Sequence, residues 1–447
     1  MKPHAFLRSS FFLGSLCLLA AAGSFAQASP IVPGKPQDHP IALIGATVHP
    51  VSGPVIAGGV VLFDGGKIVA VGPQVKLPEG VEKIDVAGKH VYPGLFDAYT
   101  NLGLVEIGAV RASNDRSETG RINPNVKANV AFNPDSELTP VARSGGVLTV
   151  VAAPSGGLIS GVSAVMQLDG WTWEDMTLHS AGMHLNWPRA IPVRAWWNEE
   201  TAKQQLAKRK KDLAEIRQAL ADARAYLGAR NSIGKPGVAA ARFDSRWEAM
   251  IPLLQRKLPL IVHADEVSQI QDAVAFAARE KVRLIIYGGY DAPECVELLR
   301  KHNVSVIVAG VHRLPRRRHD EYDAPFTVPA RLKEAGVPFC ISGAEWASNV
   351  RNLPHHAATA AAYGLSRDEA LRSITLSPAE ILGVANRIGS LRAGKDATLI
   401  VTDGDILEIT THVQIAYLGG RKVDLTDKQK LLWKKYQEKY RRQEAKR

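Results

Sequence analysis

The chain has 447 residues, 46% hydrophobic and 22% charged, which excludes a disordered polymer and suits a large domain with a smaller companion. Its formal charge is +11, but residues 428–447 alone hold nine Lys/Arg against two Glu, a net +7. The basicity is therefore mostly a tail, and no base-stacking or groove-reading motif accompanies it, which argues against nucleic-acid binding.

At the N-terminus, Lys2 and Arg8 give a basic start, 11–25 is apolar and small, and Ser24-Phe25-Ala26 and Ala26-Gln27-Ala28 both offer small-x-small cleavage sites. This predicts a signal peptide over 1–26, a secreted or periplasmic protein, and no transmembrane anchor after cleavage. The apolar run is short for a membrane span, and Pro30, Pro33 and Pro36 follow at once. Leu16 precedes Cys17, where lipoprotein processing wants a small residue, so a lipid anchor there is rejected. The other cysteines, Cys295 and Cys340, lie far apart and are expected to be separate buried thiols.

Strand-like runs come next, at 41–48, 59–63, 67–71 and 83–91, with Asp64-Gly65-Gly66 as a turn between two of them. Runs at 397–401 and 413–418 are natural additions to the same β-domain, assembled from 41–92 and 391–424. Between them the pattern alternates: strand 147–152, helices 199–227 and 243–254, strand 258–263, helix 268–280, strand 283–287, helix 293–301, strand 305–308, helix 328–335 and strand 338–342. Ser366-x-x-Glu369 and Ser377-x-x-Glu380 read as capping boxes, with Pro378 at the first helical position of the second. Such alternation predicts an α/β fold, a (β/α)8 TIM-like barrel over 93–390 beside a small β-sandwich. A basic helix over 425–447 ends the chain. Its Leu432, Tyr436 and Tyr440 recur at i, i+4 and i+8 and are expected to dock on the body. Trp171, Trp173, Trp187, Trp196 and Trp197 cluster ahead of the long helix 199–227 and are expected to bury it against the barrel, or to build a lid or a partner-binding surface.

Two motifs carry a resemblance. Tyr92-Pro93-Gly94-Leu95-Phe96-Asp97-Ala98 is similar to the sequence leading into the first barrel strand of amidohydrolases. Gly389-Ser390-Leu391-Arg392-Ala393-Gly394-Lys395-Asp396-Ala397 resembles that family's return to its β-domain. The order and separation of these motifs carry the family resemblance, which is closest in flavour to the secreted, imidazolonepropionase-like branch, which hydrolyses cyclic amides or dipeptides. The resemblance implies one or two divalent ions, usually zinc, that lower the pKa of a bound water and polarise the scissile carbonyl. In the family the ligands are a His-x-His on the first strand, one His on each of the fifth and sixth, an Asp on the eighth, and often a bridging carboxylated lysine.

Carried onto this chain, the first-strand pair falls on Tyr99 and Asn101, the fifth-strand ligand on His263 and the sixth on Tyr287. The eighth-strand aspartate falls on Gly343 or Ala344, with Glu345 next door, and the bridging lysine near Gln167. His263 alone survives, whereas zinc sites use three or more protein ligands. The resemblance thus implies no cofactor at the usual place, or at most a single divalent ion such as zinc. Two readings stay open. One is a hydrolase of non-peptide C–N bonds with an impaired metal site, in which Glu345 and Asp97 are the catalytic candidates and Tyr99, Asn101, Tyr287 and Arg313 the substrate-binding ones. The other is an inactive family member that binds a small molecule or serves as a partner subunit, in a homo-oligomer or beside an active amidohydrolase paralogue. Arg313 enters because it and Arg316-Arg317-Arg318 fall in the loop after the seventh strand, where they would suit an anionic ligand. A third reading gives the basic tail a role in attachment to membrane or anionic polymer.

Overall fold

The computed structural model describes residues 31–232 and 242–445; the expected signal peptide, 1–26, lies outside the described residues. The first five strands, β1 (Ile41–Val48), β2 (Ile56–Asp64), β3 (Lys67–Gly72), β4 (Glu82–Asp85) and β5 (His90–Pro93), open the small domain. The run 83–91, read as one strand, is two. The chain turns at Val86-Ala87-Gly88, with Gly88 at φ 74°, and β4 and β5 pair in parallel with successive halves of β1.

The barrel follows as β6 (Leu95–Thr100), β7 (Val147–Ala152), β8 (Ile159–Gln167), β9 (Thr177–Asn186), β10 (Leu260–Ala264), β11 (Leu284–Gly288), β12 (Ser305–Val308) and β13 (Phe339–Ile341), adjacent in that order. The barrel is present, but strict βα alternation is broken. β8 runs antiparallel to both β7 and β9, and the six residues between β7 and β8 are too few for a crossover helix. Both β8 and β9 escape a sequence reading because Gly161, Ser163 and Gly182 dilute the β-branched signal.

Period-two alternation turns Ile261, Ile285, Ile307 and Cys340 into the barrel, where they meet Val151 and Val165. The intervening residues, Val262, Ile286, Val306 and Ile341, join the core shared with the surrounding helices, such as Val267–Glu280 and Ala324–Glu334. Burial on both faces explains why these strands read as continuous apolar runs. Cys295 and Cys340 are separate buried thiols, as expected. Ser366 caps its helix, its Oγ accepting the Glu369 amide at 3.3 Å. Ser377 does not cap: helix Leu376–Ile381 starts two residues earlier than expected, with Thr375 at the cap position.

The long helix Ala202–Arg230 buries Ile216, Ala219, Leu220 and Ala223. The tryptophans do not cover it as a group. Trp187 is buried edge-on to Phe276 at 5.2 Å, while Trp171, Trp196 and Trp197 are exposed.

The chain returns to the small domain as β14 (Leu399–Thr402), β15 (Val413–Leu418) and β16 (Arg421–Lys422), giving the order β16-β15-β14-β5-β1-β2-β3, with β4 also on β1. In a flat sheet β15 and β2 would stand about 19 Å apart. Instead the Phe63 and Tyr417 rings meet edge-on at 4.8 Å, so one continuous sheet rolls over a core of Leu43, Phe63, Ile68 and Leu399. Asp169 ties this domain to the barrel: buried, it accepts from Arg143 at 3.0 Å and from Arg421 of β16 at 3.3 Å.

The last helix, Lys428–Glu444, corrects an expectation. It buries no residue, and Leu432, Tyr436 and Tyr440 face solvent. Helical spacing shows that a stripe exists; it does not say what covers it. Among the described residues, no helix is long and apolar enough to cross a membrane.

Candidate functional site

His263 lies two residues beyond Ile261 on β10, and Tyr287 two beyond Ile285 on β11, so both rings rise from the barrel interior toward the C-terminal mouth, paired in register. Tyr99 of β6 stacks on Tyr287 with centroids 3.8 Å apart and meets His263 edge-on at 5.3 Å. His184 of β9 completes the cluster, 5.2 Å from the His263 ring. Four rings thus fill the mouth, where β6, β10 and β11 would present imidazoles to a metal. Burial pushes both tyrosine hydroxyls well above their ordinary pKa, so they stay neutral.

The imidazoles form a directed chain. Ser163 Oγ donates to the Gly182 carbonyl at 3.2 Å and therefore accepts from His184 Nε2 at 2.7 Å. Burial drives His184 well below its ordinary pKa and His263 down to about 4, so each ring carries one proton. With its proton on Nε2, His184 accepts at Nδ1 from His263 Nε2, 2.9 Å away. Only Nδ1 of His263 then keeps a free lone pair. Imidazole ¹⁵N spectra are expected to show His263 protonated at Nε2 and unchanged from about pH 5 to about pH 8. His184→Ala should allow both tautomers; a wild-type ring that titrates in this range would contradict the chain.

Asp97 and Asn101 serve the seam where β13 meets β6. Asp97 Oδ1 accepts the Gly343 amide at 3.1 Å and the Tyr99 amide at 3.2 Å. Asn101 Oδ1 accepts the Ala347 amide at 2.8 Å, and the Asn101 backbone N–H donates to the Glu345 carbonyl at 2.9 Å. Asp97 is wholly buried, its Oδ2 has no partner, and burial raises its pKa to about 7 against those two amide bonds. At Gly343, a Cβ would fall 2.8 Å from Asp97 Oδ2. Ala344 sits in the left-handed region at φ 71°. A side chain at 343 would therefore meet the Asp97 carboxyl, and one at 344 is carried by a backbone in the left-handed region.

Glu345 does not take over that role. Its carboxylate pairs with Arg116 at 3.1 Å, and the same guanidinium lies 5.3 Å over the Trp346 ring. Arg313 and Arg316 both pair with Asp265, at 3.3 and 2.7 Å, Arg317 pairs with Asp291, and all three lie over Tyr290. Their charge is spent on neighbouring acids. Glu266 stands at the N-cap of its helix, while Asp265 holds Arg313 and Arg316.

Gln167 is excluded as a bridging position. It ends the antiparallel β8, opposite Thr149 near the start of β7, and so lies at the far end of the barrel from the mouth. The residue facing His263 from the preceding strand is His184. A strand assignment over 177–186 would have found it, since the alternation of Ala181, Met183 and Leu185 with Gly182 and His184 carries that signal. Asn186 also escaped notice; its Nδ2 donates to the Gly157 carbonyl at 3.0 Å and to Ser160 Oγ at 3.1 Å, pinning the glycine-rich segment at the mouth.

The donor set does not fit the family's metal. Among the described residues, no three His, Cys, Asp or Glu side chains gather with ligating geometry. Three of the four ring nitrogens of the imidazole pair are engaged in the Ser163–His184–His263 chain. One free imidazole nitrogen falls short of the three or more protein ligands of a zinc site.

Comparison with known proteins adds the family. The amidohydrolase family profile matches residues 174–426. Amidohydrolase tasK of Hapsidospora irregularis is 22% identical over 401 residues, 81% of this chain but only 39% of that protein's length. An imidazolonepropionase of Acidiphilium cryptum (strain JF-5) is 24% identical over 400 residues, 79% of this chain and 89% of that one. The crystal structure of an amidohydrolase from Thermotoga maritima MSB8 superposes with a TM-score of 0.75 at 26% identity, covering 86% of this chain and 99% of its own. With more than half its length matched by the profile, and a barrel and rolled sheet of the same architecture, the chain belongs to the amidohydrolase family.

Proposed function

We propose that this protein keeps the substrate class of its family, small cyclic amides or dipeptide-like compounds with a C–N bond, in a barrel mouth from which the binuclear metal centre has been lost. The imidazolonepropionase likeness favours that class. The observation that carries the loss is the Tyr99–Tyr287 stack beside a histidine pair bonded to itself and to Ser163. On this reading the chain is a binding or partner subunit, in a homo-oligomer or beside an active paralogue. The N-terminal pattern favours export, with cleavage near residue 26.

A second reading, metal-free hydrolysis with His263 Nδ1 as general base, is favoured by that nitrogen's free lone pair. Magnitude weighs against it. General-base efficiency is best when the pKa lies near the working pH, and burial leaves His263 at about 4.

The test is metal analysis of the purified protein, together with ligand-induced thermal shifts and hydrolysis assays on panels of cyclic amides and dipeptides. The expected outcome is substoichiometric zinc, a melting-temperature rise with members of the panel, and no turnover. Stoichiometric zinc with chelator-sensitive hydrolysis would overturn the loss of the metal centre; turnover without metal would establish the second reading.

A further inference from the structure

The C-terminal helix Lys428–Glu444 buries none of its side chains, yet it carries four large apolar or aromatic ones on one side. At 100° per residue, Leu432, Trp433, Tyr436 and Tyr440 fall within an arc of roughly 100°. Their exposures are 43%, 61%, 48% and 58%. Most of the helix's seven Lys/Arg lie on the remaining surface. Arg441 and Arg442 share Glu438, and Lys430 lies 3.8 Å from Asp427. Among the described residues, no carboxylate lies within 4 Å of Lys428, Lys434, Lys435 or Lys439.

We propose that this helix is a docking element that lies in the plane of an anionic phospholipid surface, inserting its aromatic stripe between headgroups while its lysines meet the lipid phosphates. Charge complementarity selects an anionic occupant. The stripe then selects lipid over a soluble polyanion, because a polyanion gains nothing from Leu432 or Trp433, whereas Trp and Tyr partition to the boundary between headgroup and acyl chain. The helix is anchored to the body at its start, where buried Asp427 caps it by accepting the Lys430 amide at 2.8 Å. It can therefore lie flat on a surface without any core being opened. Neither the barrel nor its mouth is required for this inference.

The experiment is co-sedimentation of the full chain with vesicles of phosphatidylcholine alone or mixed with phosphatidylglycerol, at low and high salt. The expected result is salt-sensitive binding to the anionic vesicles only. Each Lys near such a surface contributes about fivefold to partitioning, so K434E/K435E/K439E should cost at least about 100-fold. W433A/Y436A should also weaken vesicle binding while sparing any retention on heparin. Deleting 428–445 should abolish vesicle binding and, because the helix buries nothing, leave the melting temperature of the body unchanged. Failure of the full chain to sediment with anionic vesicles, equal binding by the truncated chain, or vesicle binding indifferent to W433A/Y436A would each overturn the proposal. The last outcome, with heparin retained, would identify the helix as a polyanion site.

Discussion

Gly343→Asp, which puts an acidic residue at one of the two positions, 343 and 344, on which the family's eighth-strand aspartate falls, is expected to lower the unfolding free energy by more than about 3 kcal/mol. A Cβ at 343 would stand 2.8 Å from Asp97 Oδ2, and Asp97 is wholly buried at the β6–β13 seam, so neither group can move without opening the barrel. A second carboxylate there adds like charge to overpacking. Gly343→Ala isolates the steric part and should cost about 1–3 kcal/mol. Denaturant unfolding of the two variants, alone and combined with Asp97→Ala, separates the contributions. If the collision is the cause, Asp97→Ala and Gly343→Asp together cost less than the sum of the single changes. Strict additivity would remove Asp97 as the reason the acidic ligand is missing.

Asp97→Asn should change the pH dependence of stability. Burial raises the Asp97 pKa from 3.8 to about 7 in the folded protein. Below about pH 4 the carboxyl is protonated in both states and costs nothing. Between about 4 and about 7 the unfolded chain ionises while the native one holds its proton, so wild-type stability falls as pH rises. Above about 7 both forms are ionised and the loss is complete, up to about 4 kcal/mol. An asparagine side chain keeps an acceptor for the Gly343 and Tyr99 amides and has no charge to bury. The stability of the Asp97→Asn variant relative to wild type should therefore climb from about pH 4 to about pH 7 and level off above. Parallel pH profiles for the two proteins would mean that Asp97 is ionised in the native state throughout.

Both predictions turn on a contact between residues 246 positions apart, which shows what can be read along a chain and what cannot. Alternation along 260–264 and 284–288 places His263 and Tyr287 on one face, because a strand's side-chain period is two whatever it packs against. The motifs at 92–98 and 389–397 announce the barrel and its companion sheet by local sequence alone, and that architecture is observed. His184 was invisible as a partner of His263 because the hairpin that carries it, 159–186, is poor in β-branched residues and rich in glycine and serine. Its meaning comes from a neighbouring strand supplied 79 residues later.

Local residue order therefore determined the elements, their periodicity and the identity of the family, since each depends on spacings within a few residues or on motif order. Tertiary structure alone decided what each polar side chain is used for. Asp97 and Asn101 close the seam, Glu345 answers Arg116, Arg313 and Arg316 pair with Asp265 and Arg317 with Asp291, and the aromatic stripe of the last helix is left uncovered. A hydrogen bond or ion pair is set by a few ångströms of separation between atoms that the chain brings together from distant positions, and linear spacing holds no information about that distance.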